Sequence, residues 1–113
     1  MTGGSITNNT AQNGGGLYNL GQLNISSGEI SSNNATNGGA VYYAGGVITN
    51  FAGINILLNT ATNGGGLFIA SPDANFFILS GGTIAENTAD YGGGVFVQSG
   101  IFKMTGGVIG DYS

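Results

Sequence analysis

The ten residues from Asn59 to Phe68, NTATNGGGLF, occur four times with small changes. The other copies are NTAQNGGGLY from Asn9, NNATNGGAVY from Asn33 and NTADYGGGVF from Asn87. With the first Asn of each copy as anchor (Asn9, Asn33, Asn59, Asn87), the spacings are 24, 26 and 28 residues, and a further 25 reach Tyr112. Three residues before the anchors, and before Tyr112, stand Ile6, Ile30, Ile56, Ile84 and Ile109. Eight before stand Met1, Ile25, Phe51, Leu79 and Met104. Eight after come Leu17, Val41, Leu67 and Val95, followed directly by Tyr18, Tyr42, Phe68 and Phe96. A register shared by five columns requires each unit to meet its neighbour through the same positions.

Few repeat folds suit such a unit. Leucine-rich repeats share the period but need a leucine ladder and often a helical return. Here Gly, Asn, Thr and Ser disfavour any helix. Propeller blades need about 40–50 residues. The pairs Asn13-Gly14, Asn37-Gly38 and Asn63-Gly64 suit hairpin turns, yet an antiparallel meander gives no reason for every chemical type to recur at one full-unit spacing. A coil stacked on itself does, because like positions then lie about 4.8 Å apart. The expected fold is all-β: a right-handed parallel β-helix (β-solenoid) of about four coils of 24–28 residues plus a partial fifth, forming one module over residues 1–113. The hand follows from the crossover rule for parallel strands.

In this fold Gly64-Gly65-Gly66 serves a corner, by positive φ and by letting coils approach closely. Asn is the other residue that accepts left-handed backbone. The column Asn9, Asn33, Asn59, Asn87 is expected to form an amide ladder, each side-chain NH₂ donating to the carbonyl of the adjacent coil. Unpaired, such buried groups cost about 1–3 kcal/mol each.

Charge narrows the partners. Lys103 is the one basic side chain among 113 residues, and the net charge is −4. Phosphate neutralisation needs a basic patch, so nucleic acid is excluded as a partner. An anionic membrane surface is disfavoured for the same reason, and no apolar run reaches the roughly 20 residues of a membrane-spanning helix. Cysteine is absent, which excludes disulfides. Met1 leads straight into repeat text, with no signal peptide in this chain. The Asn, Gly and Thr content nonetheless points to an extracellular or cell-surface location.

The strings GGGLY, GGAVY, GGGLF and GGGVF, with ISSN, ILLN and IAEN, resemble the GGA[ILV] and FxxN repeats of chlamydial polymorphic membrane proteins. They are equally similar to GGTI…NTA…NGGGVY repeats of bacterial and archaeal adhesin-like surface proteins. The resemblance covers essentially the whole chain. It departs from the first family by placing Ile where FxxN has Phe, and by lacking a β-barrel translocator. It implies a right-handed β-helix displayed on a cell surface for adhesion.

Carbohydrate-active β-helices make catalysis a second class to weigh. The acids are Glu29, Asp73, Glu86, Asp90 and Asp111. Glu86 and Asp111 both precede the anchor position one coil apart, a separation near that of a retaining glycosidase pair. With no His, no Arg and one Lys, little is left to orient a substrate carboxylate. The expectation is therefore no enzyme, no cofactor and no metal site. A Ca²⁺-binding nonapeptide pattern is absent as well. Length variation falls at one corner, between the Leu/Val column and the Met/Ile/Phe/Leu column. Its longest version holds Ser71, Pro72, Asp73 and Asn75, a candidate contact loop. Tyr18, Tyr42, Phe68 and Phe96 form a candidate aromatic stripe for sugar stacking, its direction left open by the mixed column Asn19, Tyr43, Ile69, Val97. The rows Thr10/Gln12, Asn34/Thr36, Thr60/Thr62 and Thr88/Asp90 raise ice binding as a further class.

The expected function is structural or adhesive: an extracellular module that stacks end to end as a homo-oligomeric filament, or part of a surface adhesin that meets glycan or host surface. Met104 and Ile109 would then meet the Met1 and Ile6 columns of the next copy. A carbohydrate-binding or carbohydrate-active β-helix is the alternative, and an ice-binding solenoid the second.

Overall fold

The computed structural model describes residues 1–72 and 76–110. Every strand pairing in it is parallel, and no helix occurs among the described residues. The chain is a β-solenoid of about four turns, each turn contributing one short strand to each of four walls.

Sheet A runs β1 (Thr2–Thr7), β5 (Ser27–Ser31), β9 (Ile54–Leu57), β13 (Thr83–Ala85), β17 (Val108–Gly110). Sheet B stacks β2 (Thr10–Asn13), β6 (Asn34–Asn37), β10 (Thr60–Asn63) and β14 (Thr88–Tyr91). Sheet C stacks β3 (Leu17–Asn19), β7 (Val41–Tyr43), β11 (Leu67–Ala70) and β15 (Val95–Ser99). The fourth wall is broken into two pairs. These are β4 (Leu23–Ile25) with β8 (Ile48–Phe51), and β12 (Phe76–Leu79) with β16 (Ile101–Met104).

The register of the sequence columns is the register of the ladders. Ile6 pairs with Ile30, Ile30 with Ile56, Ile56 with Ile84 and Ile84 with Ile109. Leu17, Val41, Leu67 and Val95 are likewise aligned. Strand side chains alternate between faces, and here the inward set forms one core. Ile30, Val41, Tyr43, Phe51, Ile56, Leu67, Ile69, Phe77, Leu79 and Ile84 are fully buried. The apolar residues that sheet B turns inward are alanines, with Ala11, Ala35, Ala61 and Ala89 in register. The Asn-Gly pairs are not hairpin turns. Asn13, Asn37 and Asn63 each end a sheet B strand, and the following glycine opens a corner.

That corner uses the three glycines differently. Gly64 takes φ +65°, as Gly14, Gly38 and Gly92 do within a few degrees. Gly65 and Gly66 have no such φ. They are needed because a Cβ on Gly65 would lie 2.7 Å from the carbonyl oxygens of Gly93 and Thr88. One on Gly66 would lie 2.6 Å from that of Gly94. Backbone amides use this closeness: Gly65 N donates to Gly92 O at 3.2 Å and Gly66 N to Gly93 O at 3.0 Å.

The left-handed residue near each anchor is not the anchor itself. Asn8, Ser32, Leu58 and Glu86, each one position earlier, have φ of 56–60°. The anchor itself has no positive φ, and its side chain runs along the stack to the next anchor. The position before it makes the turn between sheets A and B, and it tolerates Ser, Leu and Glu despite a steric cost of about 1–2 kcal/mol for a non-glycine residue.

Candidate functional site

The inner corner between sheets A and B holds the amide ladder. Asn9 Nδ2 donates to Asn33 Oδ1 at 3.1 Å, Asn33 Nδ2 to Asn59 Oδ1 at 3.1 Å, and Asn59 Nδ2 to Asn87 Oδ1 at 2.9 Å. Each acceptor oxygen also takes a backbone N–H, from Asn9, Asn33 and Asn59 at 3.0, 2.9 and 2.9 Å. The remaining amide proton reaches back to the isoleucine column: Asn33 to Ile6 O, Asn59 to Ile30 O and Asn87 to Ile56 O. Asn33 and Asn59 are buried. No buried side-chain polar atom among the described residues lacks a partner. Aligned amide dipoles in a low-dielectric interior reinforce one another, so the column acts as a spine through the solenoid.

A second, shorter ladder, outside the columns that the sequence aligns, runs four residues further on. Asn37 Nδ2 donates to Asn13 Oδ1 at 3.0 Å, and Asn63 Nδ2 to Asn37 Oδ1 at 2.9 Å. Its polarity is opposite to the first: donors here point toward earlier coils, whereas the spine's donors point toward later ones. The signal was present as the last Asn of NTAQN, NNATN and NTATN. In the fourth copy the position is Tyr91, which pairs with Asn63 and is exposed.

Sheet C carries the aromatic stripe on its outer side. Val41 and Tyr43 point inward and are fully buried, while Tyr42 between them is half-buried. The rings stack face to face: Tyr18 on Tyr42 at 5.0 Å, Tyr42 on Phe68 at 5.0 Å, Phe68 on Phe96 at 5.1 Å, with interplanar angles of 5°, 11° and 7°. Ring faces are thus spent on one another. A sugar stacking on this column has only ring edges and the outer faces of Tyr18 and Phe96 to use. The column Asn19, Tyr43, Ile69, Val97 lies on the inner side; Asn19 is buried there, its Nδ2 donating to Gly21 O at 2.9 Å and Gly45 O at 3.1 Å.

The broken fourth wall is where coil length varies. Strands β8 and β12 meet at one end, where Ser80 N donates to Phe51 O at 3.0 Å. They have no ladder pairing beyond it. The gap leaves two adjoining clefts of about 150 and 200 Å³, sharing Ile48 and Ile78. Thr49, Asn50 and Ser80 line the first, and Val47 and Phe76 the second. Of the contact loop, Ser71 is buried and Pro72 exposed; Asp73 and Asn75 lie outside the described residues. Ser71 directly follows the end of β11, where its N–H donates to Ser99 O at 3.2 Å, and a Cβ on Gly100 would meet its Cβ at 2.9 Å.

The polar rows Thr10/Gln12, Asn34/Thr36, Thr60/Thr62 and Thr88/Asp90 are all exposed on the outer face of sheet B. Glu86 is exposed at its left-handed corner, and its candidate partner Asp111 lies outside the described residues. Glu29 accepts a hydrogen bond from Ser31 Oγ at 2.5 Å. Compared with protein-family models, with curated proteins and with solved structures, the chain gives no match.

Proposed function

We propose that this protein is a structural, non-enzymatic module of an extracellular or cell-surface β-solenoid of the adhesin-like kind, extended end to end by copies of itself. The observation that supports this reading is the single register that runs through every coil, so that each coil offers its neighbour the same ladders and a further coil of the same kind can continue them. Strands β1, β2 and β3 at one end, and β17, β14 and β15 at the other, are edges of the same three sheets. Exposed edge strands are templates for further pairing. Between them lie half-open slices of the core. Met1, Ile6 and Leu17 are partly buried at one end, and Met104 and Ile109 are 44% and 37% exposed at the other.

Light scattering after size exclusion, with negative-stain microscopy, tests the reading. Rods growing with concentration support it; a monomer at every concentration overturns self-assembly.

A second reading, glycan binding, is supported by the clefts between β8 and β12. They combine Thr49, Asn50 and Ser80 with the apolar Val47, Ile48, Phe76 and Ile78. Titration calorimetry with oligosaccharides on the parent and on Phe76→Ala distinguishes it: heat lost in the variant favours this cleft.

A further inference from the structure

The second amide ladder consists entirely of asparagines followed by glycine: Asn13-Gly14, Asn37-Gly38 and Asn63-Gly64. Asn-Gly is the dipeptide most prone to spontaneous deamidation, because glycine has no side chain to hinder ring closure. The glycine nitrogen, deprotonated, attacks Cγ of the asparagine. The bond from Cγ to the side-chain nitrogen breaks and ammonia leaves, giving a five-membered imide. Water then opens the ring on either side, to aspartate or to isoaspartate.

Both reacting groups are engaged here. The nucleophile must lose its proton, yet each glycine N–H donates to the next coil: Gly14 to Asn37 O, Gly38 to Asn63 O and Gly64 to Tyr91 O, all at 2.9 Å. The electrophile must rotate toward that nitrogen, yet Asn37 is held on both sides, as donor to Asn13 and acceptor from Asn63. Asn13 keeps one of these ladder bonds, as acceptor, and Asn63 one, as donor. Reaction therefore requires neighbouring coils to part.

We infer that Asn13, Asn37 and Asn63 are latent deamidation sites, held inert by the stacking of the coils and released when coils separate, and that their conversion blocks restacking. The product explains the block. An aspartate at position 37 has no donor for Asn13 Oδ1 and sets two acceptors against each other. Isoaspartate adds a methylene to the backbone beside Gly38, whose φ of +67° forms the corner. That lengthens the chain at a close-packed corner and draws Gly38 N–H away from Asn63 O. The same rungs thus lock the fold and are protected by it, an irreversible record of whether the solenoid has opened.

The test compares the folded protein with the protein in urea, both held at mildly alkaline pH and then peptide-mapped by mass spectrometry. In urea, aspartate and isoaspartate should build up at all three positions at similar rates. Folded, all three should convert more than about tenfold more slowly, as expected when reaction needs local opening, with Asn37 the slowest. Equal rates in the two states, with the fold intact by circular dichroism, overturn the protection. For the block on restacking, urea-treated chains carrying isoaspartate at position 37 are separated and refolded. They should regain the β signal in much lower yield than unconverted chains. Full recovery overturns that half of the inference. The variant Asn37→Asp gives an independent check and should lose refolding yield in the same direction.

Discussion

Asn33 and Asn59 are joined by two hydrogen bonds to a single atom. Both the backbone N and the Nδ2 of Asn33 donate to Asn59 Oδ1, at 2.9 and 3.1 Å. Asn59 repeats the arrangement toward Asn87. One side chain therefore satisfies a backbone amide at the corner of the preceding coil as well as the amide stacked on it.

Replacing Asn59 by leucine should consequently cost more than one hydrogen bond. It strands the backbone N–H of Asn33 and the carbonyl of Ile30, both in the interior. At about 1–3 kcal/mol for each buried group left unpaired, the expected loss is about 3–5 kcal/mol. Urea denaturation followed by circular dichroism measures it. A loss below about 1 kcal/mol would show that the interior reaches water at this corner.

The residue beside it offers the opposite effect. Leu58 is 55% exposed and sits at φ 59°, so its side chain gains little from packing and bears the left-handed strain. Coil one has Asn8 at the same place, with φ 60°. Leu58→Asn should stabilise by about 1 kcal/mol, seen as a higher urea midpoint with an unchanged slope. An unchanged or lower midpoint would mean that the exposed leucine makes a contact worth more than the strain.

Two glycine-to-alanine changes should separate packing from composition. At Gly65 the new Cβ would meet Gly93 O and Thr88 O at 2.7 Å, with neither able to move without parting two coils. At Gly21 nothing lies within 4 Å. Gly65→Ala should lose about 3 kcal/mol or more, the upper end of overpacking costs, and Gly21→Ala should stay within about 0.5 kcal/mol of the parent. Melting curves of the two variants side by side decide it. Similar behaviour would indicate that the corner relaxes freely.

The aromatic stack predicts a gradient. Phe68 touches a ring on each side and is 3% exposed, whereas Tyr18 has one ring neighbour and is 52% exposed. Phe68→Ala should cost about 3 kcal/mol and Tyr18→Ala about 1 kcal/mol, both read from denaturant midpoints. Equal costs would show that the column behaves as separate surface residues.

The sequence by itself determined the period, the parallel stacking and the identity of the spine. Columns such as Ile6 to Ile109 and Asn9 to Asn87 recur only if each coil lies on the last, and no helix can form from the residues between them. It also determined that a glycine must follow Asn63. What it left open were matters of direction and of distance through space. Tyr42 and Tyr43 are adjacent and chemically alike; only the closed tube decides that Tyr43 fills the core and Tyr42 stacks outside. Leu58 and Glu86 carry no mark of the left-handed backbone they adopt, because the spine's hydrogen bonds impose it from outside the residue. The second ladder exists only because stacking brings Asn13, Asn37 and Asn63 into line one coil apart, a contact through space rather than along the chain. The break between β8 and β12 comes from coils of unequal length that must still share one wall, a mismatch that no single repeat contains.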